Sequence, residues 1–172
     1  MNYIIRQETE KDFSEIYNLI KEAFKTADVK DGDEQDYAVD LRNSKKYIPQ
    51  LALVAQTNDK LIGHIMLTET SIQQADNKII TVLLLSPVSV LLQYRNMGVG
   101  KALIKESCRR AKEMGYKTVF LVGNPEYYKK SGFVESSIYN IKPKDNIPAK
   151  YVQVLELYPG SLKNIEGIIE CC

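Results

Sequence analysis

The segment I-I-T-V-L-L-L-S-P-V-S-V-L, residues 79–91, constrains the fold of this chain more than any other feature. Its apolar residues occupy both alternating sets of positions, and a strand with two apolar faces has to be covered on both sides. Pro87 cannot donate a hydrogen bond to a neighbouring strand, so the strand is predicted either to end there or to be interrupted there. The segment therefore predicts a central strand in a sheet that helices flank.

The rest of the chain alternates between helical and strand patterns without an internal repeat or a linker, which indicates one mixed α/β domain over residues 1–172. T-E-K-D at residues 9–12 resembles a capping box and starts the first helix. A long helix is predicted from Val99, with Met114 on its buried face and Gly115 as its stop. In chain order, the other predicted elements are a strand over residues 3–7, a helix around residues 37–41, a hairpin over residues 51–70, a strand over residues 118–123, a short helix over residues 125–132, and strands over residues 133–139 and 151–158.

Composition and cysteine spacing exclude several classes of protein. The formal net charge of +1 argues against a nucleic acid or an anionic membrane as partner, because binding to either leaves a strongly basic signature. The N-terminus lacks a signal-peptide pattern, and no uncharged stretch is long enough to span a bilayer. Cys108, Cys171 and Cys172 show neither metal-ligand nor disulfide spacing. We therefore expect a cytoplasmic protein without a metal, whose I-I-E-C-C end forms a tail. Pairing of the terminal cysteines between chains, and with it a homodimer, is left open.

The segment Q-Y-R-N-M-G-V-G-K-A-L-I connects the apolar strand to the long helix. A Walker A loop would need glycine in place of Arg95 and serine or threonine in place of Ala102. A dinucleotide fingerprint that starts at Gly98 would need a third glycine in place of Leu103. What remains is Arg95-x-x-Gly98-x-Gly100, whose glycines leave the N–H groups of a helix start open to a phosphate. Taken alone, this motif fits a phosphate loop and a tight turn about equally well.

Two motifs together resemble the GNAT superfamily of acyl-CoA-dependent N-acyltransferases. R-N-M-G-V-G at residues 95–100 is similar to its acyl-CoA loop, Gln/Arg-x-x-Gly-x-Gly/Ala, and Y-K-K-S-G-F at residues 128–133 resembles its Tyr-x-x-x-Gly-Phe element. The longer segment V-G-N-P-E-Y-Y-K-K-S-G-F is similar to one bacterial subgroup of the family. The resemblance implies the acyl-CoA N-acyltransferase fold, an α/β (α+β) fold. Its central sheet is mixed, mostly antiparallel, splayed at a bulge and flanked by helices.

The resemblance also implies acetyl-CoA as co-substrate and assigns roles to individual residues. The backbones of Val88 and Val90 would pair with the pantetheine arm in the splayed sheet. Tyr128 would protonate the leaving thiolate, since a phenol stays protonated at neutral pH, and its neighbour Tyr127 would point elsewhere. Asn124 would hydrogen-bond the cofactor, or else only begin the following turn. The pyrophosphate would be held by Arg95, Asn96, Gly98, Val99, Gly100 and Lys101.

The proton acceptor and the acceptor substrate are less well defined. The central strand contains no carboxylate, so Glu69 on the preceding strand is the candidate base, while His64, the sole histidine, is interpreted as structural. The implied reaction is direct attack of a primary amine, of a small molecule or a peptide, on the thioester in a ternary complex. An acidic region favours a cationic amine if it borders the cleft, although such a run is more often a solvated loop. It comprises Asp28, Asp31, Asp33, Glu34, Asp36 and Asp40.

Two alternatives come from other classes of protein. One is a non-catalytic acyl-CoA-binding domain with a regulatory or sensor role. The other is an interaction protein that kept the fold and lost the ligand. The presence of Arg95, Gly98, Gly100 and Tyr128 argues against the second and weakly against the first.

Overall fold

Nine β-strands and four α-helices occur in residues 1–27 and 30–171, the part of the chain that this computed structural model describes. The strands are β1 (Ile4–Gln7), β2 (Tyr47–Thr57), β3 (Lys60–Gln73), β4 (Ile79–Val90), β5 (Thr118–Val122), β6 (Val134–Glu135), β7 (Ile141–Pro143), β8 (Val152–Glu156) and β9 (Gly167–Ile169). The helices are α1 (Phe13–Phe24), α2 (Glu34–Arg42), α3 (Val99–Glu113) and α4 (Pro125–Tyr128). None of the described helices is long and apolar enough to cross a membrane.

The chain forms two compact units. Unit 1 comprises Met1–Thr68 and Ser86–Arg110, and unit 2 comprises Glu69–Leu85 and Ala111–Cys172. Unit 1 therefore contains α1, α2 and most of α3, whereas unit 2 contains the last three residues of α3, α4 and the strands from β5 onward. β3 and β4 contribute residues to both units. The single-domain organisation inferred from the sequence stays a prediction.

In unit 1, a helix packs on an antiparallel sheet. β1 pairs with β2, and β2 pairs with β3, both in antiparallel register. α1 buries Ile16, Leu19 and Ile20 against Val54 on β2 and against Leu91. Complete burial of an aliphatic side chain of this size stabilises the folded state by about 1.5–3 kcal/mol. The buried face of α1 thus forms part of the core of this unit.

A carboxylate fixes the entry to α1. The Thr9 N–H donates to Oδ2 of Asp12 at 2.8 Å, as the predicted capping box requires. Arg6 donates two hydrogen bonds to the same carboxylate, at 2.7 and 2.8 Å. The hydrogen bond from Arg6, the largest of several effects, helps to lower the pKa of Asp12 to about 2. This network connects the end of β1 to the helix that follows it.

In unit 2, β5 is the central strand. It pairs with β8 in antiparallel register over five residue pairs and with β4 in parallel register over two, Leu83↔Val119 and Leu84↔Phe120. β6 continues the sheet beyond β8, and β9 lies between the end of β3 and β7. The mixed, mostly antiparallel sheet with flanking helices is the fold that the sequence predicts.

Two predictions on the second half of the chain are wrong. Residues 133–139 do not form one strand, because β6 stops at Glu135 and a 3₁₀-helix, Ser136–Tyr139, follows. The Ser136 hydroxyl donates a hydrogen bond to Ile141 O at 2.9 Å, which stabilises this turn. Met114 is not on the buried face of α3, since it follows the last helical residue and is 44% exposed. Gly115, with φ +92°, ends the helix as predicted.

The C-terminal segment is not a tail. Ile169 lies in β9, pairs with Ile72 on β3 and is fully buried. The Glu170 N–H donates to Ser71 O at 3.1 Å, and Cys171 is buried as well. The segment closes an edge of β3, which satisfies backbone groups that would otherwise be unpaired. Cys172 lies outside the described residues.

Candidate active site

The end of β4, in unit 1, directs backbone groups away from β3. The Leu91 N–H donates to Ile62 O on β3 at 3.0 Å, so the amide of Leu91 points toward β3. Backbone groups alternate in direction along a strand, and those of Val90 and Val88 therefore point to the opposite edge. In agreement, Val90 O accepts a hydrogen bond from Nε of Arg95 at 3.2 Å. An extended ligand at this edge would meet the backbones of both valines.

β4 also contains a bulge, as the resemblance to the family implies. At the hairpin turn the Gln74 N–H donates to Lys78 O, and at the other end the Leu91 N–H donates to Ile62 O. Between these two hydrogen bonds β4 contains one residue more than β3, which is the definition of a bulge. The strand itself continues through Pro87 to its last residue, so the alternative in which it ends at the proline is wrong.

The glycine motif forms the entry to α3. Asn96 and Gly98 have φ values of +60° and +82°, in the left-handed region that glycine and asparagine tolerate best. Gly98 O accepts from the Ala102 N–H at 2.9 Å, so the N–H groups of residues 98–101 have no acceptor inside the helix. The first turn of α3 contains no acidic residue, and Lys101 is exposed beside it. The positive end of the helix therefore favours an anion at this position.

A glycine on β3 determines how closely α3 approaches the sheet. A Cβ at Gly63 would lie 2.9 Å from Cδ1 of Leu103 and 3.2 Å from Cγ1 of Val99. Both side chains are fully or almost fully buried. Only a residue without a side chain allows this contact, so Gly63 lets the start of α3 pack closely against β3. The sequence motifs did not single it out.

The side chain of Arg95 is directed toward α1. Its guanidinium donates to Thr26 Oγ1 at 2.9 Å and to Ala23 O at 2.5 Å, in addition to Val90 O. Three donors of the guanidinium thus tie the C-terminal end of α1 to the end of β4. This contact positions the loop that follows, a role that sequence reasoning did not assign to the arginine.

In unit 2, the ring of Tyr128 is enclosed by three neighbours. It makes edge contacts with the rings of Tyr127 and Phe133, at centroid distances of 4.9 and 6.0 Å. A Cβ at Gly123 would overlap with its ring, so the glycine is required for this position. Burial, and to a smaller extent Tyr127, raises the pKa of Tyr128 far above its ordinary value. The phenol is therefore protonated at neutral pH.

The two other candidates of unit 2 have local partners. Asn124 Oδ1 accepts from the Glu126 N–H at 2.9 Å and caps α4, as the turn interpretation of this residue expects. Glu69 accepts a hydrogen bond from the Tyr116 hydroxyl at 2.5 Å. Burial, followed by this bond, raises the pKa of Tyr116 to about 12. Neither partner was evident in the sequence.

A buried polar cluster in unit 1 was also missed. Glu8 accepts hydrogen bonds from Arg42 and Tyr47 and shares one with His64, and all four residues come from different elements or loops. If His64 is structural, its ring should have a hydrogen-bond partner. Nε2 of the ring has one, the carboxylate of Glu8. No sequence pattern connects residues so far apart in the chain.

Residues 4–135 match the family described as acetyltransferase (GNAT) domain. The chain belongs to this family. It is 33% identical to YjhQ, an uncharacterised N-acetyltransferase of Escherichia coli (strain K12), over 58% of this chain and 55% of that protein. The match thus covers only about half the length of YjhQ. It is also 25% identical to YhbS, an uncharacterised N-acetyltransferase of the same strain, over 70% of this chain and 71% of YhbS.

Two solved structures share the fold. The structure of Escherichia coli YhbS in complex with CoA matches with a TM-score of 0.89 and 22% identity, over 100% of this chain and 91% of that chain. A GNAT family acetyltransferase from Brucella melitensis in complex with acetyl-CoA matches with a TM-score of 0.79 and 25% identity, over 98% and 94% of the two chains. The predicted family is thus confirmed, as is the likeness of this chain to YhbS.

Proposed function

We propose that this protein transfers the acetyl group of acetyl-CoA to a primary amine. The observation that carries the proposal is the start of α3, where four N–H groups have no acceptor inside the helix, Lys101 is exposed and the first turn contains no carboxylate. The pyrophosphate of acetyl-CoA has the charge and size for this position. The pantetheine arm, an extended chain with two amides, suits the free edge of β4 at Val88 and Val90. The CoA and acetyl-CoA complexes of the two related structures support the choice of ligand.

In the proposed reaction the amine attacks the thioester carbonyl, and Tyr128 donates its proton to the sulfur as the carbon–sulfur bond breaks. A raised pKa suits this role, because the phenol has to be protonated before each turnover. Asn124 contacts the cofactor through its backbone in this proposal, since its side chain caps α4. The guanidinium of Arg95 positions the loop, and the backbone N–H groups bind the diphosphate. Glu69 stays a candidate base only if the hydrogen bond that it accepts from the Tyr116 hydroxyl breaks first.

Binding and turnover are tested separately. Calorimetry with acetyl-CoA, CoA and acetyl-pantetheine measures the contribution of the diphosphate, and thiol release is then followed with spermidine, tyramine, kanamycin and a peptide with a free N-terminus. We expect acetyl-CoA and CoA to bind with similar affinity, acetyl-pantetheine to bind much more weakly, and at least one amine to be acetylated. Failure of both CoA compounds to bind would contradict the proposal. Binding without turnover of any amine would favour the sensor function.

We further propose a cationic acceptor. Asp31, Asp33 and Asp40 are exposed around the start and the length of α2, whereas Glu34 is engaged by the N–H groups of Asp31 and Gly32. Exposed carboxylates raise the local concentration of a cation at low salt. Asp28 lies outside the described residues.

Reversal of these charges tests the acceptor. Asp31→Lys, Asp33→Lys and Asp40→Lys together should raise KM for a polycationic amine about tenfold at low ionic strength, with a smaller effect at high salt. The control is reversal of Glu10, Asp59 and Glu166, which are exposed elsewhere and change the net charge equally. Equal effects of the two triple variants on KM would contradict a local role of the acidic region.

Gly123 offers a test of the position of Tyr128. Gly123→Ala should displace the ring and lower kcat about tenfold, because a Cβ at this residue overlaps with the ring. In a Tyr128→Phe background the same change should have little further effect, since the proton donor is already missing. The measurement is kcat of the two single variants and the double variant. If the fold-losses in kcat of the two single variants multiply in the double variant, Gly123 acts independently of Tyr128.

A further inference from the structure

The guanidinium of Arg95 joins three parts of unit 1. Its Nε donates to Val90 O, the last residue of β4, at 3.2 Å. Its Nη1 donates to Thr26 Oγ1 at 2.9 Å and its Nη2 to Ala23 O at 2.5 Å, both at the C-terminal end of α1. The backbone of the same residue begins the loop that leads into α3. One side chain therefore links the edge of a strand, the end of a helix and a loop.

The C-terminal end of α1 takes a hydrogen-bond donor from outside the helix. The last four carbonyl groups of a helix have no donor within it. The Ala27 N–H, which would donate to Ala23 O in a continuing helix, donates to Phe24 O at 3.1 Å. Ala23 O accepts from Arg95, and a cation is favoured at this end of a helix dipole. The position of this helix end thus depends on a residue of the loop before α3.

The proposed function brings acetyl-CoA to the other contacts of Arg95. The backbone of Val90, whose oxygen accepts from Nε, is one of the two that would pair with the pantetheine arm. The backbone from Arg95 to Lys101 would hold the pyrophosphate. A carbonyl oxygen has two lone pairs, so a pantetheine N–H at Val90 O adds to the bond from Nε without breaking it. Bound acetyl-CoA would therefore restrain Arg95 through both its backbone and its side chain.

The chain after α1 leads to the carboxylates that we propose for the acceptor. Asp31 and Asp33 follow Thr26 in the sequence and are exposed before the first residue of α2. Glu34 accepts from the Asp31 N–H at 2.7 Å, which attaches these carboxylates to the start of α2. Thr26 is attached to Arg95. The guanidinium is therefore connected to the acceptor side of the protein as well as to the cofactor side.

We propose that Arg95 is a positioning residue that couples the binding of acetyl-CoA to the binding of the amine. This inference rests on the proposed function, which supplies both ligands. When acetyl-CoA holds the loop and the end of β4, the guanidinium is held against the end of α1, and the chain toward α2 loses conformational freedom before the amine arrives. The amine then binds more tightly, because less entropy is lost on its binding. By linkage, the amine raises the affinity for acetyl-CoA by the same factor.

Hydrogen exchange at the end of α1 tests the coupling without an amine. The exchange rates of the Lys25 and Ala27 amides are measured by NMR with and without saturating CoA. We expect CoA to slow both about fivefold in the wild type and to leave them unchanged in Arg95→Met, which keeps the apolar stem but has no donor. The ratio of the rates with and without CoA is the readout, because a helix end that is only loosened exchanges faster in both states.

Thr26→Val is the second variant. It removes one acceptor of the guanidinium from an exposed residue outside the proposed cofactor site. The Kd of CoA should stay within about twofold, while the slowing of exchange by CoA becomes smaller. The matched control is Lys101→Met, which removes a positive charge from the same loop. Its Kd for CoA should rise, but saturating CoA should still slow exchange at the end of α1.

The second readout is the coupling factor, which is the Kd of the amine without CoA divided by its Kd at saturating CoA. Calorimetry measures both with the panel amine that is acetylated fastest, and CoA replaces acetyl-CoA so that no turnover occurs. We expect a factor of about ten for the wild type and Lys101→Met and about one for Arg95→Met. Titration of CoA with and without the amine should give the same factor.

Circular dichroism establishes that each variant is folded, and if Arg95→Met is not, Thr26→Val decides. Equal slowing of exchange by CoA in the wild type and in the deciding variant would overturn the inference. A coupling factor near one in a wild type that binds CoA and acetylates the amine would overturn it as well, and would leave the proposed function intact. Failure of CoA to bind would overturn both.

Discussion

Tyr128→Phe is expected to lower kcat by about 10²-fold while the affinity for acetyl-CoA stays nearly unchanged. Only the hydroxyl is removed, so the ring contacts with Tyr127 and Phe133 are kept. The thiolate then has to leave without a proton from the protein, which costs about 3 kcal/mol of transition-state stabilisation. The measurement is kcat by thiol release together with the Kd of acetyl-CoA by calorimetry.

The neighbouring residue is the control for this prediction. Tyr127→Phe removes a hydroxyl from the same short helix, and Tyr127 is 49% exposed. We expect its kcat to stay within about twofold of the wild type. Loss of activity in Tyr127→Phe and full activity in Tyr128→Phe would reverse the assignment of the proton donor. If the Kd of acetyl-CoA in Tyr128→Phe rises by the same factor as kcat/KM falls, Tyr128 binds the cofactor and does not donate the proton.

Glu8→Gln is expected to lower the free energy of unfolding by about 3 kcal/mol at pH 7. The pKa of Glu8 falls from an ordinary 4.5 to about 2 in the folded state, and a difference of this size corresponds to about 3 kcal/mol. The variant also leaves the buried guanidinium of Arg42 without a counter-charge. The measurement is chemical denaturation of both proteins at pH 7.

The same shift predicts a dependence on pH. Because the folded-state pKa is the lower one, the contribution of Glu8 is complete above about pH 4.5 and is lost as the pH falls toward 2. The wild type should therefore lose stability more steeply than Glu8→Gln over this range. Glu106→Gln is the control: hydrogen bonds from Arg109 and Arg110 also lower the pKa of Glu106 to about 2, but these side chains are partly exposed and solvent screens the interaction, so the loss should be below about 1 kcal/mol. Equal slopes for wild type and Glu8→Gln would contradict the assignment.

The parts of the fold and of the site that sequence predicts are those with a local signature. The loop from Arg95 to Lys101 is recognisable because glycines at a strand-to-helix junction serve a backbone function. The capping box at Thr9, the stop at Gly115 and the bulge in β4 each follow from the chemistry of one or two residues. The left-handed backbone of Gly98, the capping box, the helix stop and the bulge are all found in the structure.

The parts that sequence does not predict depend on contacts between distant residues. Glu8, Arg42, Tyr47 and His64 lie at four separate places in the chain, and only folding brings them within hydrogen-bond distance. β9 is three residues long, too short for a periodic pattern, so the sequence does not indicate that this segment is buried. The guanidinium of Arg95 similarly binds the end of α1, and no motif around Arg95 predicts this contact.

Acetyl transfer itself is the most direct test of the account. The protein is incubated with acetyl-CoA and each amine of the panel, and mass spectrometry of the amine is combined with quantification of free CoA thiol. We predict that at least one amine gains a single acetyl group and that one thiol is released for each acetyl group transferred, with both signals about 10²-fold lower in Tyr128→Phe. Binding of acetyl-CoA without an acetylated product from any amine, or equal product formation by wild type and Tyr128→Phe, would contradict the account.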